Sequence, residues 1–248
     1  MSLRIEILIV LGLSLGKSAI YSGLSLWRKL TNPAPLSQQT TTMNSSVVVE
    51  RPWLDFAYQV AGLILPLVPV FLALYLLSIY RRPEGGAFGA MGFDLRQPGK
   101  DLLIGVGSFA VIGIAGLGLY LGARQLGLNT NIVAANLAAH WWTIPVLVLS
   151  AVKSGVLEEV VMVGYLFTRW TQSGGRAVTV LIGSALIRGS YHLYQGFGGF
   201  IGNAIMGLIF GAFFLKTKRV MPLVIVHILL DVASFVGYAL LKDYLPFL

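Results

Sequence analysis

Residues 102–122, LLIGVGSFAVIGIAGLGLYLG, run for 21 positions without a charged side chain. About 20 consecutive apolar residues are what a helix needs to cross the hydrocarbon core of a bilayer. The run is continuous and lacks the two-residue alternation of a membrane barrel strand, so a helix, which satisfies its own backbone in lipid, is the structure it predicts. Working outward, similar runs lie near 5–26, 53–80, 143–168, 177–194, 200–215 and 220–241. The expected fold is all-α: a polytopic transmembrane helix bundle of about seven spans (six to eight), one integral membrane domain over residues 1–248.

Composition excludes other classes. The chain is 56% hydrophobic and 11% charged, with mean hydropathy +0.79, whereas roughly a quarter of a soluble domain is charged. Cysteine is absent, which removes disulfides, thiolate metal sites and cysteine nucleophiles together. The net charge of +8 comes from Lys and Arg scattered between apolar runs, not from a stripe. Membrane lipids, and no nucleic acid, are therefore the expected counterpart.

The first run is the weakest, because Lys17 interrupts it and an apolar N-terminal segment also resembles a signal peptide; without a small-residue cleavage site it reads as an anchor. Residues 27–52 carry Pro33, Pro35 and a Ser/Thr/Gln/Asn cluster and read as an irregular exposed loop. Arg4, Arg81, Arg82, Arg96, Lys100, Arg169, Arg176, Lys216, Lys218 and Arg219 fall on one side of the predicted spans. Arg28, Lys29, Arg51, Arg124 and Lys242 fall on the other. The positive-inside rule then puts the N-terminus in the cytoplasm, with a bacterial plasma membrane as the expected location. Residues 129–140 are too short and mixed to span, and Trp141 with Trp142 marks an interface. Glycines such as Gly105, Gly107, Gly113, Gly116 and Gly118, and Gly202, Gly207 and Gly211, suit close helix approach in lipid.

A charge at mid-bilayer costs about 2.5 to 3.5 kcal/mol on insertion scales, so each one inside a span needs a partner or a task. Glu6 and Asp55 sit at span ends. Lys153, Glu158, Glu159, Arg188, His192, His227 and Asp231 all fall in three later helices, which points to one shared polar site. Glu158 and Glu159 are about 100° apart around a helix, so one can face a reaction centre while the other turns to a cation such as Arg188. Arg188 and His192, like His227 and Asp231, are four residues apart and share a helix face. An imidazole can relay a proton, donate to an oxyanion or ligate a metal, and a carboxylate four residues on can fix its orientation. Simpler readings suit other groups. Lys17 and Lys153 snorkel or pair locally, His140 is a solvated interfacial histidine, Asn203 makes an interhelical hydrogen bond, and Tyr191 and Tyr194 pack beside His192 or touch substrate.

Hydrolysis within a membrane needs an activated water, a group for the oxyanion and a proton for the leaving amine, and one glutamate with two histidines supplies all three. No pair of histidines has the His-Glu-x-x-His spacing of zinc proteases. Asp231 is the only aspartate well inside a late span, which removes a two-aspartate mechanism. No Gly-x-Ser-x-Gly turn frames Ser154, Ser184 or Ser190. Glutamate chemistry remains.

The order Glu158-Glu159, then Arg188-Gly-Ser-Tyr-His192, then His227-Ile-Leu-Leu-Asp231 resembles the CPBP family, the CAAX protease and bacteriocin-processing enzymes of the ABI group, over about residues 150–235. The usual pattern there is Glu-Glu-x-x-x-Arg, Phe-x-x-x-His and His-x-x-x-Asn or Asp. The resemblance implies an intramembrane endopeptidase in which Glu158 and His192 activate water while His227 and the group at Asp231 serve the oxyanion. Two positions depart from it: Val163 stands where the first motif has Arg, and Arg188 stands where the second has Phe. The cation would then have moved between helices, with Arg188 now pairing with Glu159. Asp231, a carboxylate, cannot donate to an oxyanion unless protonated, so it would instead orient His227.

Glu158, His192 and His227 would offer Zn²⁺ three ligands and an open fourth position; without metal the same groups act as base and donors, which is the preferred reading. The expected substrate is a peptide or protein reaching the site from the bilayer or its interface. Alternatives are a non-enzymatic immunity-type or scaffold protein, favoured by the altered first motif, and then a proton-coupled transporter, for which neither inverted repeats nor broken helix pairs are evident.

Overall fold

The first apolar run bends where a serine turns back on its own helix. In the computed structural model, which describes residues 2–80 and 82–244, α1 (Leu3–Leu13) and α2 (Leu15–Leu30) meet at Ser14 with a 50° angle. Ser14 Oγ donates to the Val10 carbonyl at 2.6 Å, a back-bond of the kind that bends helices. The interruption therefore lies at Ser14, not at Lys17. Arg81, counted above among the basic loop residues, lies outside the described residues.

After α2 follow β1 (Thr40–Thr42), α3 (Pro52–Ile64), α4 (Val68–Ile79), α5 (Gly86–Met91), α6 (Pro98–Gln125), β2 (Asn131–Val133), α7 (Thr143–Glu158), α8 (Leu166–Gln172), α9 (Ala177–Ser190), α10 (Phe197–Thr217) and α11 (Met221–Leu241). The protein is 75% helical, which bears out the helical bundle. Proline occupies the first turn of α3, α6 and α11, where a missing N–H leaves no bond unmade. A 3-10 turn at Leu65–Leu67 joins α3 to α4, and a π-helical segment, Glu159–Tyr165, joins α7 to α8.

Among the described residues, four helical stretches are long and apolar enough to cross a membrane: Pro52–Ile79, Pro98–Gln125, Phe197–Thr217 and Met221–Leu241, with the bent α1–α2 pair as a fifth if it counts as one. Length and composition thus support four or five crossings and do not establish seven. The runs at 143–168 and 177–194 are helical but differ in kind. α7 changes to π geometry at its glutamates, and the 14 residues of α9 span only about 21 Å, short of the roughly 30 Å core. On α6, Leu103, Val111 and Ile114 are more than 70% exposed, the outward apolar face expected of an integral membrane protein.

The loops gather at two ends. At one, Arg219 reaches Asp101 and Asp94, at 2.5 and 3.2 Å, joining the α10–α11 and α5–α6 connections. Arg169 belongs with this end, yet it is no loop residue: it is fully buried, pairs with Glu6 at 2.7 Å and donates to the Tyr80 and Leu76 carbonyls, while Tyr165 OH also donates to Glu6. Arg169 and Glu6 therefore satisfy one another across α1, α4 and α8 and do not lie free in a loop and at a span end. At the other end, β1 pairs in parallel with β2 in register Thr40↔Asn131 to Thr42↔Val133. The segment 27–52, expected to be irregular and exposed, buries Lys29, Leu36 and Thr41. The segment is tied down at both ends: Lys29 Nζ donates to Thr41 Oγ1 and to the Tyr194 carbonyl, and the Val47 and Val48 N–H groups donate to Asp55 of α3.

α7 and α11 pack closely because a Cβ at Gly155 would lie 2.8 Å from Ile228 Cγ1. Gly207 likewise lets α10 approach Ala185 of α9, where a Cβ would meet the Ala185 Cα at 2.9 Å. Gly107, Gly116 and Gly118 of α6 face nothing within 4 Å and serve no such contact.

Candidate active site

Glu158 ends α7 and Glu159 opens the π segment. A widened turn of this kind is frequent at functional sites, and within it the Met162 carbonyl accepts from Ser184 Oγ of α9 at 3.1 Å. The adjacent carboxylates diverge as their angular separation requires. Glu159 is fully buried, and its Oε1 accepts from Arg188 Nη2 at 2.7 Å. Arg188 is also fully buried and lies over the Phe210 ring, 5.3 Å from its centroid. The cation that the first motif lacks at Val163 is thus supplied by α9.

Glu158 faces the other way, into a cavity of about 330 Å³ that is also lined by Lys153, His192, Tyr194, His227 and Asp231. Its Oε2 accepts from Tyr191 OH at 2.7 Å, and lies 3.9 Å from His192 Nε2 and 4.0 Å from His227 Nε2. These two separations are too long for direct hydrogen bonds and of the size that one shared water bridges.

His192 reaches this point from outside a helix. α9 stops at Ser190, so the four-residue spacing from Arg188 does not give a shared helix face. Instead, Arg188 takes Glu159 and His192 takes the Glu158 side. The turn carrying His192 is anchored on several sides: Ser22 Oγ accepts from the Tyr194 N–H at 2.7 Å, and the Thr130 N–H donates to the Gln195 carbonyl at 3.0 Å. Gly196 closes it at φ +116, where a Cβ would strike the Leu128 carbonyl oxygen at 2.5 Å; only glycine suits both demands. Gln195 Nε2 donates to Tyr194 OH at 3.0 Å and lies 3.5 Å from His192 Nδ1. His192 Nε2 is buried without a hydrogen-bond partner.

His227, on α11, is bound at Nδ1 by Glu159 Oε1 at 2.6 Å, while its Nε2 lies 3.6 Å from Asp231 Oδ2. The orienting carboxylate is therefore Glu159 and not Asp231, which lies on the cavity side of the ring. All six residues singled out from the sequence, Glu158, Glu159, Arg188, His192, His227 and Asp231, come together here.

Lys153, set aside as a snorkelling or locally paired residue, lines the cavity, as does Ser154. Ser184 and Ser190 are bonded to backbone carbonyls. Asn203 bonds back to Gly199 of its own helix at 3.0 Å, an intrahelical bond where an interhelical one was expected. His140 stacks on Trp142, centroids 4.9 Å apart. Sequence reasoning missed the tie of Tyr191 to Glu158, the approach of Gln195 to His192, and the contribution of Thr42, Met43 and Asn44 to the cavity. No local spacing links these to the glutamates.

The donor types fit Zn²⁺: Glu158, His192 and His227 would hold it, with Glu159 and Gln195 on the far nitrogens in the manner of outer-shell supports. Glu158, Glu159 and His227 form a tighter group, with ligand atoms within 4.8 Å of one another, but the Arg188 guanidinium already on Glu159 opposes a second cation there.

In comparison with known families, residues 140–233 match the model described as Rce1-like, type II CAAX prenyl endopeptidase. No curated protein and no solved structure matches the chain. The matched segment contains both glutamates, both cavity histidines, Arg188 and Asp231.

Proposed function

We propose, from the match of residues 140–233 to the Rce1-like CAAX endopeptidase family, which supports the CPBP and CAAX protease resemblance, that this protein is a glutamate-dependent intramembrane endopeptidase. The observation that carries the reading is the convergence of Glu158 Oε2, His192 Nε2 and His227 Nε2 at 3.9 and 4.0 Å on one cavity. Glu158 takes a proton from water as the water attacks the scissile carbonyl. His192, donating from Nε2, holds that water against Glu158. His227, fixed by Glu159, carries a proton on Nε2 toward the oxyanion, and Glu158 returns its proton to the leaving amine. Asp231 faces the same space and balances the charge on His227. A bound Zn²⁺ on Glu158, His192 and His227 would supply Lewis-acid polarisation of the carbonyl.

The immunity-type or scaffold alternative drew its support from the missing arginine at Val163, and Arg188 answers it by pairing with Glu159 at 2.7 Å. In a bacterial plasma membrane with the N-terminus cytoplasmic, the basic loops of Arg96, Lys216 and Arg219 lie inside. The cavity, roofed by residues 42–44, then opens toward the non-cytoplasmic face. The substrate is a peptide delivered by the bilayer or its interface. The test is cleavage of a tagged membrane-peptide library and of a peptide with a prenylated CAAX end by purified protein and by Glu158→Gln, His192→Ala and His227→Ala. Loss in all three at normal expression supports the reading; undiminished cleavage by Glu158→Gln ends it.

A further inference from the structure

In the β1–β2 pair, the Asn131 N–H donates to the Gln39 carbonyl at 2.9 Å and the Met43 N–H donates to the Val133 carbonyl at 2.8 Å. With the register Thr42↔Val133, the residues whose backbone groups face β2 are Gln39, Thr41 and Met43, because alternate residues of a strand turn those groups to opposite edges. The N–H and C=O of Thr42 thus point away from β2, and no other hydrogen bond engages them among the described residues. Thr42 lines the same cavity as Glu158, His192, His227 and Asp231.

The edge is held rigidly. Thr41 Oγ1 bonds with Thr130 Oγ1 at 2.6 Å and donates to the Tyr194 carbonyl at 3.1 Å, and Asn44 Nδ2 donates to the Ala134 carbonyl at 3.0 Å. A pre-ordered open strand edge offers ready pairing to another chain, and adding an extended peptide to such an edge is a recurring recognition mode. A membrane-delivered substrate has a specific need for it. A carbonyl inside a helix is already bonded and shielded from attack. Unwinding that helix in a low-dielectric site leaves N–H and C=O groups that cost several kcal/mol each if unpaired.

We propose that the substrate peptide lies extended along the open edge of β1 and exchanges backbone hydrogen bonds with the N–H and C=O of Thr42, beside Glu158 and His192. The proposal rests on the protease reading, and the test separates the two. The probe is a fluorescein-labelled peptide with a prenylated CAAX end, bound to Glu158→Gln protein in micelles and followed by anisotropy; cleavage is measured with Glu158 intact. Thr42→Pro removes an N–H that the ladder does not use. It weakens binding at least about fivefold more than Thr42→Ala, which keeps both backbone groups, and lowers kcat/KM in parallel. N-methylation of the probe amides, one at a time, weakens binding at the position whose N–H meets the Thr42 carbonyl, and it still does so in Thr42→Pro protein, which keeps that carbonyl. Should Thr42→Pro fail to fold, the N-methyl series decides alone. Equal binding by every N-methylated probe, or no binding of the parent probe, overturns the proposal. Binding that shows the methylation pattern without cleavage by intact protein overturns the protease reading and leaves edge pairing standing.

Discussion

Glu159 binds His227 at Nδ1, 2.6 Å from its Oε1, on the edge of the ring turned away from Asp231. A carboxylate that also receives Arg188 accepts a hydrogen from the imidazole, so Nδ1 is the donor and Nε2 is the atom offered to the cavity. The second glutamate of the pair thus holds the ring of a histidine on another helix.

Glu159→Gln should lower kcat at least about tenfold with little change in KM. The amide removes the negative charge that supports a second proton on His227, and it leaves Arg188 buried without a counter-charge, costing about 3 to 5 kcal/mol of stability. Asp231→Asn, which leaves Nδ1 untouched, should retain more activity than Glu159→Gln. Equal losses in steady-state kinetics of the two variants would remove the positioning role from Glu159.

Arg188→Val should destabilise the protein by a similar amount, about 3 to 5 kcal/mol, since Glu159 is fully buried and would lose its cation. Val163 is four residues beyond Glu159 on the same helical run and is 1% exposed, so an arginine there can reach back to Glu159. The pair Arg188→Val with Val163→Arg should recover thermal stability and cleavage lost in the single variant. A double variant no better than Arg188→Val would mean that the cation did not simply exchange helices.

Glu158, His192, His227 and Asp231 were legible because ionisable groups stand out within apolar runs, and the run boundaries matched the helices to within a few residues. What the sequence hid depends on distant partners. Glu6 read as a span end and Arg169 as a loop cation, because nothing local reveals that they pair across 163 positions. His192 read as helical because four residues separate it from Arg188, yet α9 ends before it and the turn is held by Ser22 and Thr130 from elsewhere in the chain. β1 and β2 were invisible for the same reason: three threonines in a polar loop carry no period, and their order comes from pairing with residues 131–133.

Removing metal should leave cleavage within about twofold of the untreated protein. Adjacent donors around tetrahedral Zn²⁺ at about 2.05 Å are about 3.3 Å apart, whereas Glu158 Oε2 lies 3.9 and 4.0 Å from the two histidine nitrogens. The measurement is activity after dialysis against a chelator and after Zn²⁺ is restored. Loss on dialysis with recovery on Zn²⁺ would make Glu158, His192 and His227 ligands.

Acid should expose the clamp between the α5–α6 and α10–α11 connections. The hydrogen bond from Arg96 holds the Asp94 carboxyl down to about 2, against its partial burial and with help from Arg219. A carboxylate whose folded value lies below its ordinary one adds stability that is fully present above about pH 4 and is lost as pH falls toward 2. The stability of Asp94→Asn measured by thermal unfolding should therefore be lower than that of the unmutated protein at pH 6, by about 1 kcal/mol after solvent screening, and should fall less steeply between pH 4 and 2. Parallel pH profiles would show that Asp94 does not carry this dependence.

The side of the membrane on which the cavity opens can be read chemically, because the chain has no cysteine and any introduced thiol is unique. Val47 is 60% exposed next to the β1 segment, and Lys216 is exposed at the basic end. With the N-terminus cytoplasmic, Val47→Cys in intact bacterial cells should react with a membrane-impermeant maleimide, while Lys216→Cys should react only after permeabilisation. The reverse pattern would turn the bundle over and aim the cavity at cytoplasmic peptides. Labelling at both positions in intact cells would mean that the basic loops do not fix one orientation.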